Sequence, residues 1–136
     1  RTKAKKISIL QQHGDNSLKS LFIWNFDETV ISMLPAGNVP FQPLDGDQGA
    51  NPERGVPTRT TIRGIADKFF NFVKGGNDAL NKIKRESMFI NMLETVHVKE
   101  AEILILVKDK ALGSKYKITK ELVSEAYPDI RWGGRS

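Results

Sequence analysis

The chain has 136 residues, 39% of them hydrophobic and 27% charged, which is one domain's worth of ordinary globular material with a single modest core. Lys and Arg number 21 against 16 Asp and Glu, giving a net charge of +5 and a pI near 9.5; this excludes an acidic mimic and suits an anionic partner without requiring one. With no cysteine, disulfides, thiolate zinc sites, iron–sulfur ligation and a cysteine nucleophile are all excluded, and His13 and His97 alone are too few for a His-rich metal site. No apolar run approaches the ~20 residues of a spanning helix and no secretory signal is visible, so a soluble intracellular protein is expected. The sequence opens at Arg1, and further residues are expected upstream.

Residues 1–34 read as helical. Ile7 and Leu10, with Ile9 beside them, make the apolar edge of a first helix whose other face carries Lys3, Lys5 and Lys6. Gly14 stops it, and Asp15-Asn16-Ser17 supplies capping oxygens for a second helix through Leu18, Leu21, Phe22 and Trp24. Asp27 is then the expected cap of a short third helix holding Val30, Ile31 and Leu34, ended by Pro35.

Residues 35–57 change texture. Five of the six prolines fall here (Pro35, Pro40, Pro43, Pro52 and Pro57), with Gly37, Gly46, Gly49 and Gly55 among them. Such a segment is neither helix nor interior strand, and it is longer than ordinary connections. It is expected to be an ordered excursion, a binding arm or a disordered loop. It does not divide the chain into domains, because residues 1–34 alone are too few for a stable core.

Helical patterning returns over residues 58–128. Ile62, Ile65, Ala66, Phe69, Phe70 and Val73 follow three-and-four spacing, with Gly75-Gly76 closing that helix. Asn77 or Asp78 opens the next, burying Leu80, Ile83, Ile90 and Leu93, and the chain breaks near His97. Lys99-Glu100-Ala101-Glu102 leads into Ile103-Leu104-Ile105-Leu106-Val107, which is apolar all round and reads as a central helix or a buried strand. The acidic pair at its start favours helix. Thr119 caps a last helix through Leu122, Val123 and Ala126, which Pro128 ends, and residues 129–136 form an irregular tail. The expected fold is therefore mainly α: one small domain of five to seven helices with one long Pro/Gly-rich loop. Its predicted core contains Leu21, Phe22, Ile65, Phe69, Val73, Ile83, Ile90, Leu93, Leu104 and Val107.

No motif announces catalysis. His97 and Glu100 lie three apart, but two ligands do not make a metal site. Asp45-Gly46-Asp47-Gln48-Gly49 begins like a calcium loop and then fails, with Ala50 at the sixth position and Val56 where a bidentate Glu is required. Neither a dinucleotide-binding nor a P-loop glycine pattern is present, and Gly75-Gly76 follows a helix, the geometry of a C-cap. Asp27 and Glu28 are adjacent and would point ~100° apart on a helix, so they read as caps and not as an acid–base pair. No catalytic, cofactor-binding or metal-ligating residue is assigned, and no small-molecule substrate is evident.

The basic residues carry the remaining signal. Lys82, Lys84 and Arg85 cluster on one helix, Lys108 and Lys110 end the next, and Lys115, Lys117 and Lys120 surround the start of the last. A helix-turn-helix reader of DNA uses such junctions, yet residues 67–110 hold eight cations and seven anions, the mixture of a solvated face. The unbalanced patches are the first helix and the tail, where Trp132 lies between Arg131 and Arg135 and either stacks on a partner or folds back as a lid on the core. Arg54, Arg59 and Arg63 line the exit of the proline-rich arm. Phe41 either anchors that arm to a partner or pins it to its own core.

Taken together, several stretches resemble an uncharacterised protein family of contractile-tailed phages, notably those of marine cyanobacteria (cyanobacterial myoviruses). They include Lys5-Lys6-Ile7-Ser8-Ile9-Leu10-Gln11, Leu21-Phe22-Ile23-Trp24-Asn25-Phe26-Asp27 and Leu34-Pro35-Ala36-Gly37-Asn38-Val39-Pro40-Phe41. Asn71-Phe72-Val73-Lys74-Gly75-Gly76-Asn77, Val107-Lys108-Asp109-Lys110 and Glu125-Ala126-Tyr127-Pro128-Asp129-Ile130 extend the resemblance over nearly the whole chain. Residues 44–67 depart from the shorter, more acidic connection of that family. The resemblance implies a phage-encoded protein made in the cytoplasm of an infected bacterium or built into the virion, and it brings no catalytic residues. It leaves two expectations. One is a non-catalytic accessory protein binding nucleic acid or the phage or host replication–transcription machinery. The other is a virion or assembly component whose Pro/Gly arm contacts neighbouring subunits.

Overall fold

The computed structural model describes residues 3–42 and 61–135. Much of the proline-rich arm, with Arg54, Arg59 and the calcium-like stretch, therefore lies outside the described residues. Helix α1 (Lys3–His13) is followed by α2 (Asn16–Phe26), whose first turn is held by Asp15 accepting from the Leu18 N–H at 2.9 Å. Gly14, between them, is required less for its backbone freedom than for its lack of a side chain. A methyl group there would collide with the Tyr127 ring, whose hydroxyl donates to the Leu10 carbonyl at 2.6 Å. That hydrogen bond ties α7 (Lys120–Ala126) to α1.

The expected third helix at 27–34 does not form. Asp27 instead ends α2, its N–H donating to the Ile23 carbonyl, and its carboxylate accepts from the N–H and hydroxyl of Thr29 two residues on. This is an Asx-turn, which competes with helix initiation for the same oxygen. Residues 31–33 then run extended, forming an isolated antiparallel bridge between Ser32 and Val73. Among the described residues no regular strand occurs.

The helix expected over 62–73 is α-helical only as α3 (Ile62–Ile65) and continues as a 3₁₀ segment, Ala66–Phe72. Three residues per turn align Ala66, Phe69 and Phe72 on one face, so both of those phenylalanines are buried and Phe70 is turned out, 51% exposed. Gly75 closes the segment with a φ of +86°, and any side chain at Gly76 would strike the Phe70 carbonyl.

Helix α4 (Lys82–Leu93) begins later than expected, because Asn81 is its cap, accepting from the Lys84 N–H at 2.8 Å. This corrects one predicted core residue. The buried stripe of α4 is Arg85, Phe89, Met92 and Leu93, which puts Ile83 on the opposite face, 79% exposed. Val73 and Ile90 are half-buried; the other seven predicted core residues are buried. His97 caps α5 (Val98–Lys108) through Nδ1, and the aliphatic run is helix, not strand. Helix α5 packs against α2, α4 and the short α6 (Leu112–Tyr116), burying Ala101, Leu104 and Val107. Thr119 caps α7 as expected, accepting from the Leu122 N–H.

The core centres on aromatic rings. Trp24 stacks on Phe72 with centroids 6.2 Å apart, tilts against Phe69 at 5.3 Å, and donates its indole N–H to the Ser32 hydroxyl. Phe72 meets Phe89 edge-on at 5.3 Å. Because this cluster joins α2, the 3₁₀ segment and α4 around the central α5, the described residues form one small, mainly helical domain.

Candidate functional site

Packing of α1 against α7 brings together cations from the two ends of the sequence. The Lys6 ammonium donates to the Lys117 carbonyl at 3.3 Å across 111 residues, and Lys3 pairs with Glu125 of α7 at 2.7 Å. Lys117 lies just past α6 in the left-handed region, φ 55°, where it ends that helix and turns the chain toward α7. Two depressions open along this seam. One, of about 190 Å³, is floored by Ile9, Leu10, Ile118 and Leu122, with Tyr116 and Lys6 at its edge. The other, of about 360 Å³, is polar and is lined by Lys3, Lys6, Lys117, Thr119, Glu121 and Leu122. Lys6 and Leu122 border both, so the apolar depression and the polar one adjoin. Lys115 stands over the Tyr116 ring, 5.6 Å from its centroid, and Lys5 is exposed on α1.

The remaining cations singled out in the sequence are placed elsewhere. Arg85 turns inward, nearly fully buried, donating through Nε to the Asn71 carbonyl at 2.9 Å and through Nη2 to those of Asn77 and Leu80. It holds the connection that leads into α4 and offers nothing to a partner. Lys82 and Lys84 are exposed in the first turn of α4, and Arg63 pairs with Asp15 at 2.8 Å. Lys108, also buried, donates to the Pro35 and Gly37 carbonyls at 2.9 and 2.7 Å. Together with Asp109 accepting from the Gly37 N–H and Glu94 from the Gln42 N–H, this fastens the start of the proline-rich arm to the body. Phe41 is half-buried there, against the core.

The tail folds back as well. Trp132 is half-buried against the core; its indole N–H donates to Ser124 at 3.0 Å, and Lys120 stands 5.2 Å from the ring centroid. Arg131 is exposed, and its carbonyl accepts from Arg135. Arg135 also donates to Asp27 Oδ2 at 2.7 Å, beside the Gly133 N–H at 2.9 Å. Burial pushes the Asp27 carboxyl up, but the Gly133 N–H, the Thr29 hydroxyl and N–H, and Arg135 outweigh it and hold the pKa at about 2.

The seam's cations stand out in the sequence; its apolar depression does not. Ile9 reads only as part of the first helix's apolar edge and Leu122 as part of the last helix, Ile118 carries no sequence signal, and Tyr116 sits on a five-residue helix too short to show periodicity. Among the described residues no helix is long and apolar enough to cross a membrane, and no cluster of His, Asp and Glu has the geometry of a metal site.

Comparison with protein families matches residues 1–114 to a family of unknown function, DUF6433. The match ends before Tyr116, Lys117 and Ile118, so the seam joins a helix inside the matched region to residues beyond it. No curated protein matches the chain. No solved structure matches it.

Proposed function

The chain belongs to the DUF6433 family, and from that premise we propose that it is a non-catalytic, phage-encoded accessory protein. It acts in the infected bacterium by docking on the phage or host replication–transcription machinery, or on nucleic acid that this machinery holds. The observation that carries the proposal is the seam. Lys3 and Lys6 of α1 and Lys117 before α7, far apart in sequence, line one open polar depression. Cations gathered at one concave surface favour an anionic macromolecule and speed its encounter. The resemblance to proteins of contractile-tailed phages supplies the setting.

Affinity capture with the tagged full-length chain from infected cells tests this. Recovery of polymerase or replication subunits is expected, reduced about tenfold by Lys6→Glu combined with Lys117→Gly. Nuclease treatment separates a protein contact, which survives it, from one bridged by nucleic acid. Recovery of the same proteins by the variant at wild-type yield would overturn the assignment to the seam.

A further inference from the structure

The extended segment after α2 leaves one of its edges unpaired. The two hydrogen bonds of its bridge run from the Met33 N–H to the Phe72 carbonyl and from the Lys74 N–H to the Ile31 carbonyl, both at 2.8 Å. They flank Ser32 and Val73, which therefore face each other as a non-hydrogen-bonded antiparallel pair. In such a pair the N–H and C=O of Ser32 point away from Val73, toward the outer edge. No described residue bonds either group, and Ser32 is only half-buried, which leaves both to water. The Ser32 hydroxyl accepts from the Trp24 indole at 2.8 Å and holds the segment against the core. Its neighbours alternate with it: Ile31 and Met33 are turned out, 43% and 39% exposed.

Open edges are ordinarily guarded by a charge, a proline or a covering element. The stretch Val30-Ile31-Ser32-Met33 carries neither charge nor proline. What fits such an edge is an extended backbone, and an antiparallel edge is its own complement. A twofold axis beside Ser32 lets two copies exchange N–H···O=C bonds between their Ser32 residues. The same operation sets Ile31 of each copy against Met33 of the other, so both exposed apolar side chains gain a cross-strand neighbour. For a chain of net charge +5 the uncharged contact matters, because the copies meet where neither carries a cation. We infer that the protein self-associates through this edge, pairing residues 31–33 of two copies antiparallel about Ser32. The contact uses none of the residues of the α1–α7 seam.

The test uses the full chain. Sedimentation velocity over a wide range of protein concentration reads the association, and NMR on a mixture of isotopically labelled and unlabelled chain reads the contact. A pairing this short falls below the size of a stable interface, so the dimer should appear only at concentrations on the order of 100 µM and above. There the Ser32 amide should exchange with solvent several-fold more slowly than in dilute protein. A cross-copy contact should link the Ile31 Hα to the Met33 Hα, since non-hydrogen-bonded pairs flank a hydrogen-bonded one. Ile31→Lys combined with Met33→Lys sets like charges opposite each other and should raise the dissociation constant about tenfold or more. Both positions are exposed, so the fold should be retained. Ile83→Lys, at an apolar residue exposed on α4, should leave the association unchanged.

A single monomeric species across the whole concentration range would overturn the inference. So would association that Ile83→Lys abolishes, or that the double lysine variant leaves intact, because the contact would then lie elsewhere. Association with the Ser32 amide exchanging equally fast at every concentration would overturn it as well. That last measurement needs no variant, so a misfolded variant cannot rescue the inference.

Discussion

Arg135 donates to Asp27 at 2.7 Å across 108 residues of sequence, with the carboxylate almost wholly buried and the guanidinium one-third exposed. The N–H of the same residue closes α2 on the Ile23 carbonyl, while its carboxylate forms the Asx-turn with Thr29 and receives the Gly133 N–H. One residue thus fixes both the exit from α2 and the path of the tail.

Asp27→Asn should lower stability by about 2 kcal/mol, because an amide matches neither the arginine nor the full set of donors around it. Arg135→Ala should cost about 1 kcal/mol, since the Gly133 and Thr29 hydrogen bonds remain. Thermal unfolding of the two variants should preserve that order. If Arg135→Ala costs more, Asp27 is not the hub.

The same site predicts an acid response. The folded pKa of about 2 lies below the ordinary 3.8, so the unfolded chain takes up the proton first as pH falls. Stability from Asp27 is therefore complete above about pH 4 and is lost as pH drops toward about 2. Unfolding midpoints measured over that window should fall more steeply for the wild type than for Asp27→Asn. Parallel curves would contradict the assignment.

Arg85→Met should destabilise the domain by about 3 kcal/mol, leaving three backbone carbonyls without their buried donor. Arg85→Lys should recover only part of this, because one ammonium cannot reproduce the planar fork. Denaturant unfolding checks both. A neutral Arg85→Met would return this residue to the surface cations.

Gly14→Ala should cost about 2 kcal/mol by driving the Tyr127 ring from its place beside α1. Adding Tyr127→Ala should bring no comparable further loss, since the collision and the hydrogen bond to Leu10 vanish together. A double-mutant cycle on unfolding free energies measures this coupling, and strict additivity would refute it.

Lys110, at a φ of 57°, donates to the Trp24 and Asp27 carbonyls at 2.7 and 2.8 Å and so caps the last turn of α2 from a distance. Burial lowers its pKa, opposed by Asp27 and Glu28. Lys110→Met should cost about 1 kcal/mol after allowance for its exposure to solvent. It should also raise hydrogen exchange at the C-terminal end of α2; unchanged exchange there would count against the cap.

Local signals carried the fold well where they were local. Asp15 and Thr119 cap as their positions suggest, and the aliphatic run of α5 is a central helix. The failures share one cause, a local pattern open to two structures. Asp27 serves an Asx-turn as readily as a helix start, and its partners Gly133 and Arg135 are too distant in sequence to be anticipated. Phe69 fits both a 3.6- and a 3.0-residue repeat, but the second buries Phe72 against Trp24 and turns Phe70 out. Helix α4, capped at Asn81, turns Arg85, Phe89, Met92 and Leu93 inward, which leaves Ile83 exposed. The seam was half legible: its lysines stand out individually, but only the contact of α1 with α7 makes them neighbours.

Quantitative mass spectrometry of washed phage particles beside the lysate of infected cells tests the accessory role most directly. The protein should be abundant in the lysate and absent from the particles. Recovery from washed virions in fixed stoichiometry with their structural proteins would contradict it and make the chain an assembly component.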